Sequence, residues 1–334
     1  MTKVVAIGGG HGLAQVLLAL RRLDVSPTAV VTVADDGGSS GRLRRQLGII
    51  ALGDLRMALL ALGREGSLAD LLAHRFERGD LAGHALGNLL LLALTERAEG
   101  DVLDALRRAE ALLHCDGSVL PSTTVPVQLS ARIAGRRVKG QAKVTSSHSR
   151  VEDLWLEPRD PPACAEAVQA VLAADVVVLG PGSLFTSVIA NLLVPELRRA
   201  VCDSGAELVH IANVQAQPGE TAGLSLSDHV ERLVDAVSGR ALDTVIVHDG
   251  PPPSPGGDAL RAETHLPGAH RIITADLLSR ERDGRVGRAH DPDRLAAALS
   301  VVLRERASAS EPAGGDSGAR ASGSEPASAG ARGR

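Results

Sequence analysis

Residues 31 to 45 break a hydrophobic strand into adjacent carboxylates, Asp35 and Asp36, then the small residues Gly37 to Gly41, then Arg42, Arg44 and Arg45. A surface turn needs one or two of these residue types. All of them together can surround a phosphorylated ligand. Gly37, Ser39 and Ser40 would offer backbone and hydroxyl donors, and Arg42 a guanidinium for an anion. Asp36 is the candidate ligand for Mg²⁺, which takes one or two carboxylates and completes its shell with phosphates and waters.

A second chemical signal lies at Gly8 to Gly12, GlyGlyGlyHisGly, between an apolar run and a segment with helical spacing. Gly9, Gly10, His11 and Gly12 would let a phosphate approach the backbone at a helix N-terminus. The strict dinucleotide fingerprint is broken at Leu13, which counts against an NAD-dependent oxidoreductase. A third signal, GlyProGlySerLeuPheThrSer at 180 to 187, repeats the strand, turn and helix pattern and adds Gly180, Gly182, Ser183 and Thr186. Ser183 alone would serve equally well as a helix cap. GlyAspLeuArg at 53 to 56 contributes Asp54 and Arg56, and HisAlaLeuGlyAsn at 84 to 88 contributes His84 and Asn88. No Gly-x-Ser-x-Gly elbow is present, and His210, His229 and His248 lack paired metal-ligand spacing.

Short apolar runs must position these groups: 3–7, 29–33, 175–179, 207–212, 243–247 and 271–274. Runs buried on both faces, alternating with helix-period segments, predict an α/β fold. Its core is a doubly wound, mostly parallel, Rossmann-like sheet, with the glycine turns at the carboxyl ends of its strands. Residues 127 to 144 alternate instead and predict an antiparallel β-hairpin with its turn at Gly135. The expected organisation is one domain over 1–306, with this β excursion at about 125–157. A disordered tail is expected from Ala307 to Arg334, which has no Val, Ile, Leu, Met, Cys or aromatic residue.

The 334 residues carry a net charge of -4 and only Phe76, Phe185 and Trp155 as aromatics, so nucleic acid is not the expected partner. Cys115, Cys164 and Cys202 are far apart, which fits a reducing cytosol better than a disulfide framework. The apolar stretch 89–94 is far too short to span a bilayer, and the run after Lys3 lacks the long apolar region of a signal peptide.

Taken together, these motifs resemble the gluconeogenesis factor family (YvcK type), relatives of the 2-phospho-L-lactate transferases (CofD type). The resemblance rests on GGGHGL at 8–13, TVADDGGSSGRLRRQL at 32–47, GDLR at 53–56, HRFERGDLAGHALGNLLL at 74–91 and VLP at 119–121. It continues with ADVVVLGPGSLFTSVIANLLVPEL at 174–197, ANVQAQPGET at 212–221 and SDHV at 227–230, and covers about residues 3 to 300. The chain departs from the family in having His11 for a threonine, IleIleAlaLeu at 49–52 and no tyrosine near residue 260.

The resemblance implies a cytoplasmic protein that binds a UDP-sugar, UDP-N-acetylglucosamine above all, and links carbon metabolism to peptidoglycan synthesis and cell shape. It adds Asn213 and Arg288 to the ligand residues and is compatible with a homodimer acting through a further protein partner. It leaves open whether a reaction is catalysed. The rival expectation is a CofD-like transferase that moves a 2-phospholactyl-type group from a nucleotide diphosphate to a deazaflavin alcohol, with Mg²⁺ on Asp36.

Overall fold

The computed structural model describes residues 1–147, 149–253, 259–281 and 285–310, with side chains through residue 306. The chain opens with β1 (Thr2–Gly8), α1 (Gly10–Leu20) and β2 (Val25–Val31). Helices α2 (Gly38–Leu47), α3 (Gly53–Leu62), α4 (Ser67–Ala73), α5 (Leu86–Arg97) and α6 (Val102–Leu113) precede β3 (Ser118–Pro121). A small excursion holds β4 (Gln128–Ile133), β5 (Arg136–Lys139), the short helix α7 (Gln141–Thr145) and β6 (Val151–Glu157). The main fold resumes with α8 (Ala165–Leu172) and β7 (Val176–Leu179), then a π-helical segment (Leu184–Ile189) that continues as α9 (Ala190–Leu192). It runs on through α10 (Pro195–Asp203), β8 (Glu207–Ile211), α11 (Leu226–Ala236), β9 (Leu242–His248) and β10 (Ala269–Ala275). Last come the hairpin of β11 (Leu278–Arg280) and β12 (Val286–His290), and α12 (Pro292–Ser310).

Seven strands pair in the order β10-β9-β8-β7-β1-β2-β3, every neighbouring pair parallel. Such a sheet is covered on both faces, which is why β7 is the unbroken run ValValValLeu with all four residues buried. Leu13, Val16, Leu17 and Leu20 recur at helical spacing on α1 and are essentially inaccessible to solvent. Local chemistry fixes several ends. Asp101 caps α6 by accepting from the Leu103 and Asp104 amides, Ser225 and Asp228 form a capping box on α11, and α2 stops at left-handed Gly48.

Three differences from the sequence reading have physical causes. β3 lies at the sheet edge with only four residues, too short to stand out as an apolar run. The second strand begins at Val25 instead of 29, because Pro27 interrupts the pattern while still pairing in register with Val4. The alternating positions 142 and 144 belong to α7 and not to the hairpin, which ends at Lys139. β6 then joins β4 to complete a three-stranded antiparallel sheet. Ser130, Arg137, Lys139 and Trp155 all hydrogen-bond Glu157, hold its carboxyl down to about 2, and tie the three strands together.

α12 runs to Ser310, past the expected domain end, and residues 311–334 lie outside the described residues. No helix among the described residues is long and apolar enough to cross a membrane.

Candidate functional site

The chain runs outward from β1 to β2 and β3, then returns to place β7 on the other side of β1. The crevice at the carboxyl ends of β1 and β7 is therefore the topological switch point, where open α/β sheets bind ligands. Both glycine turns open into it. A Cβ on Gly12 would lie 2.2 Å from the Pro181 carbonyl oxygen, so the backbones touch where only glycine fits. Gly10, which lines the cavity, has φ +61° and open space around its would-be Cβ.

That cavity encloses about 290 Å³. Gly9, Gly10, His11 and Gly12 form one wall, and Gly182, Ser183, Thr186 and Ser187 the opposite one. Asp35, Asp54 and Thr32 line it from the β2 and α3 side, with Gln141 and Gln217 at the remaining edge.

Burial holds the carboxyls of Asp35 and Asp54 above the usual range. Asp35 accepts from the Gly37 amide at 2.9 Å and from Ser40, yet desolvation outweighs both bonds. Asp54 is raised to about 7, first by desolvation and then by the charge of Asp35, although the Gly10 amide donates to it. Near neutral pH this pair carries less than two full negative charges. It can accept a proton or, ionised, a cation.

The Asp54 shift predicts a pH dependence. The folded chain keeps this proton up to about pH 7, whereas an ordinary aspartate loses it near 3.8. The resulting stabilisation is complete below pH 3.8 and is lost as pH rises to 7. Asp54→Asn should therefore be more stable than the parent chain above pH 7, by about 1–2 kcal/mol after allowing for solvent in the cavity. The difference should vanish toward pH 4, and melting curves of both chains between pH 4 and 8 check it.

The other expected ligand residues are close by but shape the site without lining it. Asn213 clasps the second turn, donating to the Gly182 carbonyl at 2.7 Å and accepting from the Gly182 amide at 3.1 Å. Gly180, at φ +75°, hydrogen-bonds back to Ile7 and starts the same turn. Asp36 points away from the cavity, its Oδ1 accepting from the Ala142 amide at 2.9 Å and tying the loop to α7. Asp35 is thus the member of the pair that faces the crevice.

Ser39, Arg56, His84 and Asn88 form a network behind the cavity. Ser39 Oγ pairs with His84 Nδ1 at 2.9 Å and accepts from Asn88 Nδ2 at 3.1 Å, and Arg56 Nε donates to Asn88 Oδ1 at 3.0 Å. Arg42 donates to the Ala82 carbonyl. Arg288 is exposed on β12 and does not line the cavity.

Sequence reasoning did not single out Thr32, Ser187 or Gln217, although each falls inside one of the quoted motif strings. Gln141 carried no signal at all. Nor did it anticipate Glu220, whose Oε1 accepts from the Phe185 and Thr186 amides at 2.9 and 2.8 Å. This internal carboxylate occupies the helix N-terminus expected to face the ligand, and Ser183 makes no capping bond there.

Among the described residues no cluster of three or more His, Cys, Asp or Glu could hold a metal. Mg²⁺ needs fewer protein ligands than that, and the two carboxylates facing the cavity suit it.

The model of the family 2-phospho-L-lactate transferase CofD matches residues 4–280. A Deinococcus radiodurans relative, provisionally named a gluconeogenesis factor, is 44% identical over 310 residues. That match covers 89% of this chain and 65% of the relative's length, so the chain spans just under two thirds of that protein. The Bacillus subtilis gluconeogenesis factor is 41% identical over 249 residues, covering 74% of this chain and 78% of that protein. A crystal structure of a upf0052 family member from Bacillus halodurans superposes with TM-score 0.83 at 36% identity, covering 90% of this chain and all of that one. With a family model over most of its length and a relative of this identity and coverage, the chain belongs to the CofD family, on its gluconeogenesis-factor branch.

Proposed function

We propose that the chain is a cytoplasmic UDP-sugar-binding regulatory protein, with UDP-N-acetylglucosamine as its ligand, linking carbon metabolism to peptidoglycan synthesis and cell shape. One observation carries the binding reading: two glycine turns from strands far apart in sequence meet at the switch point and enclose a cavity of about 290 Å³. The first glycine turn, Gly9 to Gly12, would hold the diphosphate, and the second, whose Gly182 backbone and Thr186 hydroxyl are already hydrogen-bonded, would form the opposite wall. Asp35 and Asp54 would be the residues to hold Mg²⁺, a cation that suits carboxylates placed beside an anion. The metal would supply neutralising charge.

The test is a binding panel of UDP-sugars, GDP and NAD, with and without Mg²⁺. UDP-N-acetylglucosamine at a hundredfold excess over its Kd should add roughly 2.7 kcal/mol of stability, whereas NAD should add none. A response to NAD alone would refute the reading.

A second reading, a transferase moving a 2-phospholactyl-type group from a nucleotide diphosphate to a deazaflavin alcohol, draws support from the family match and from the same carboxylate pair. GDP binding with turnover in the panel would favour it.

A further inference from the structure

Arg42, Arg56 and Arg75 converge on the segment that leads into α5. Arg42 Nη2 donates to the Ala82 carbonyl at 2.6 Å, and Arg75 Nη1 donates to the Gly83 carbonyl at 2.6 Å, so the two guanidiniums bracket one turn. A Cβ on Gly83 would lie 2.9 Å from Arg42 Nη2, which shows how closely that guanidinium covers the backbone. Arg56 joins them through Asn88. Its guanidinium is pushed down by burial and then by the charge of Arg75, with Asp54 pulling the other way, and His84 is pushed down by burial and then by both Arg42 and Arg75.

Arg75 thus repels Arg56, Arg42 and Arg75 both disfavour a charged His84, and among the described residues none of the three arginines forms an ion pair. The acidic residues of the adjoining turn, Glu77 and Asp80, are exposed and pair with none of them. Among the described residues each guanidinium spends one N–H on a neutral acceptor and makes no further hydrogen bond with its fork. Like charges held in place by hydrogen bonds to neutral groups, with Asp54 alone offsetting Arg56, cost stability unless an anion completes them.

We propose that Arg42, Arg56 and Arg75, with His84, form a second anion subsite that takes the phosphoryl group of a ligand separate from the one in the switch-point cavity. Planar guanidiniums with free N–H pairs suit phosphate oxygens better than a spherical anion, because two parallel bonds form per group. The subsite is joined to the cavity through one helix, since Arg56 lies two residues beyond the cavity-lining Asp54 on α3.

The experiment titrates inorganic phosphate, at constant ionic strength against chloride, into the full chain, Arg75→Gln and Gly10→Val, and follows the melting temperature. Phosphate should stabilise the parent chain and Gly10→Val alike, and its apparent affinity should fall about tenfold in Arg75→Gln. The exposed Arg75 makes a misfolded variant an unneeded explanation. Saturating UDP-N-acetylglucosamine should leave the phosphate response in place.

Equal responses in the parent chain and Arg75→Gln, or no response in either, would overturn the subsite. Loss of the response in Gly10→Val, or its suppression by the UDP-sugar, would assign the phosphate to the cavity and overturn it as well. A chain that ignores UDP-N-acetylglucosamine but still shows the Arg75-dependent phosphate response would count against the nucleotide-sugar reading alone.

Discussion

Gly10→Val should abolish the stabilisation expected from the proposed ligand, UDP-N-acetylglucosamine. The residue holds φ +61°, where a β-branched side chain is strained, at a cost of about 1–3 kcal/mol to the fold. That cost is tolerable, because no atom lies within 4 Å of the new Cβ to clash with it. The side chain instead fills the wall over which the ligand's phosphates would lie. Affinity should fall at least about a hundredfold, roughly 2.7 kcal/mol, while the circular dichroism spectrum stays that of a folded α/β chain. Calorimetric titration of the variant with Mg²⁺ present checks this, and parent-like affinity would move the ligand out of the cavity.

Glu220→Ala should be the most damaging single change to stability near the site. The carboxylate is 3% exposed and accepts from two amides of the π-helical segment and, more weakly, from the Thr186 hydroxyl at 3.4 Å. Alanine would leave both amides buried without an acceptor. The expected cost is about 3–4 kcal/mol, from lost charge-assisted bonds and orphaned donors together. Glu220→Gln keeps one carbonyl oxygen for those amides and should cost about 1 kcal/mol. Urea unfolding of the two variants distinguishes them. Equal losses would mean that the charge matters and the acceptor does not.

Periodicity made the parallel core legible, since β1, β7, β8 and β9 are apolar runs that burial on two faces demands. It also placed both glycine turns at strand ends, where composition marks a turn without saying which turns will meet. The contact between Gly12 and Pro181 depends on strand order, and strand order is not written in local pattern. The same blindness hid which carboxylate faces inward. Asp35 and Asp36 are equivalent as letters, and only the pairing of Asp36 with α7 turns Asp35 toward the crevice. Glu220 escaped notice for a related reason. Its partners lie more than thirty residues earlier, and a lone glutamate in a loop usually faces water.

The pairing of β1 with β7 joins residues 4–7 to residues 176–179. During synthesis the first glycine turn is finished early, but its opposite wall does not exist until roughly half of the chain has emerged. A fragment ending before residue 176 would carry every acidic and basic residue of the first half and still have no closed cavity. Nucleotide-sugar capture would thus begin only once the long-range pairing, a slow class of contact to form, is complete. A ligand of this cavity would act on the nascent chain as a latch, holding together segments that the peptide chain itself joins only through some 170 residues of intervening structure.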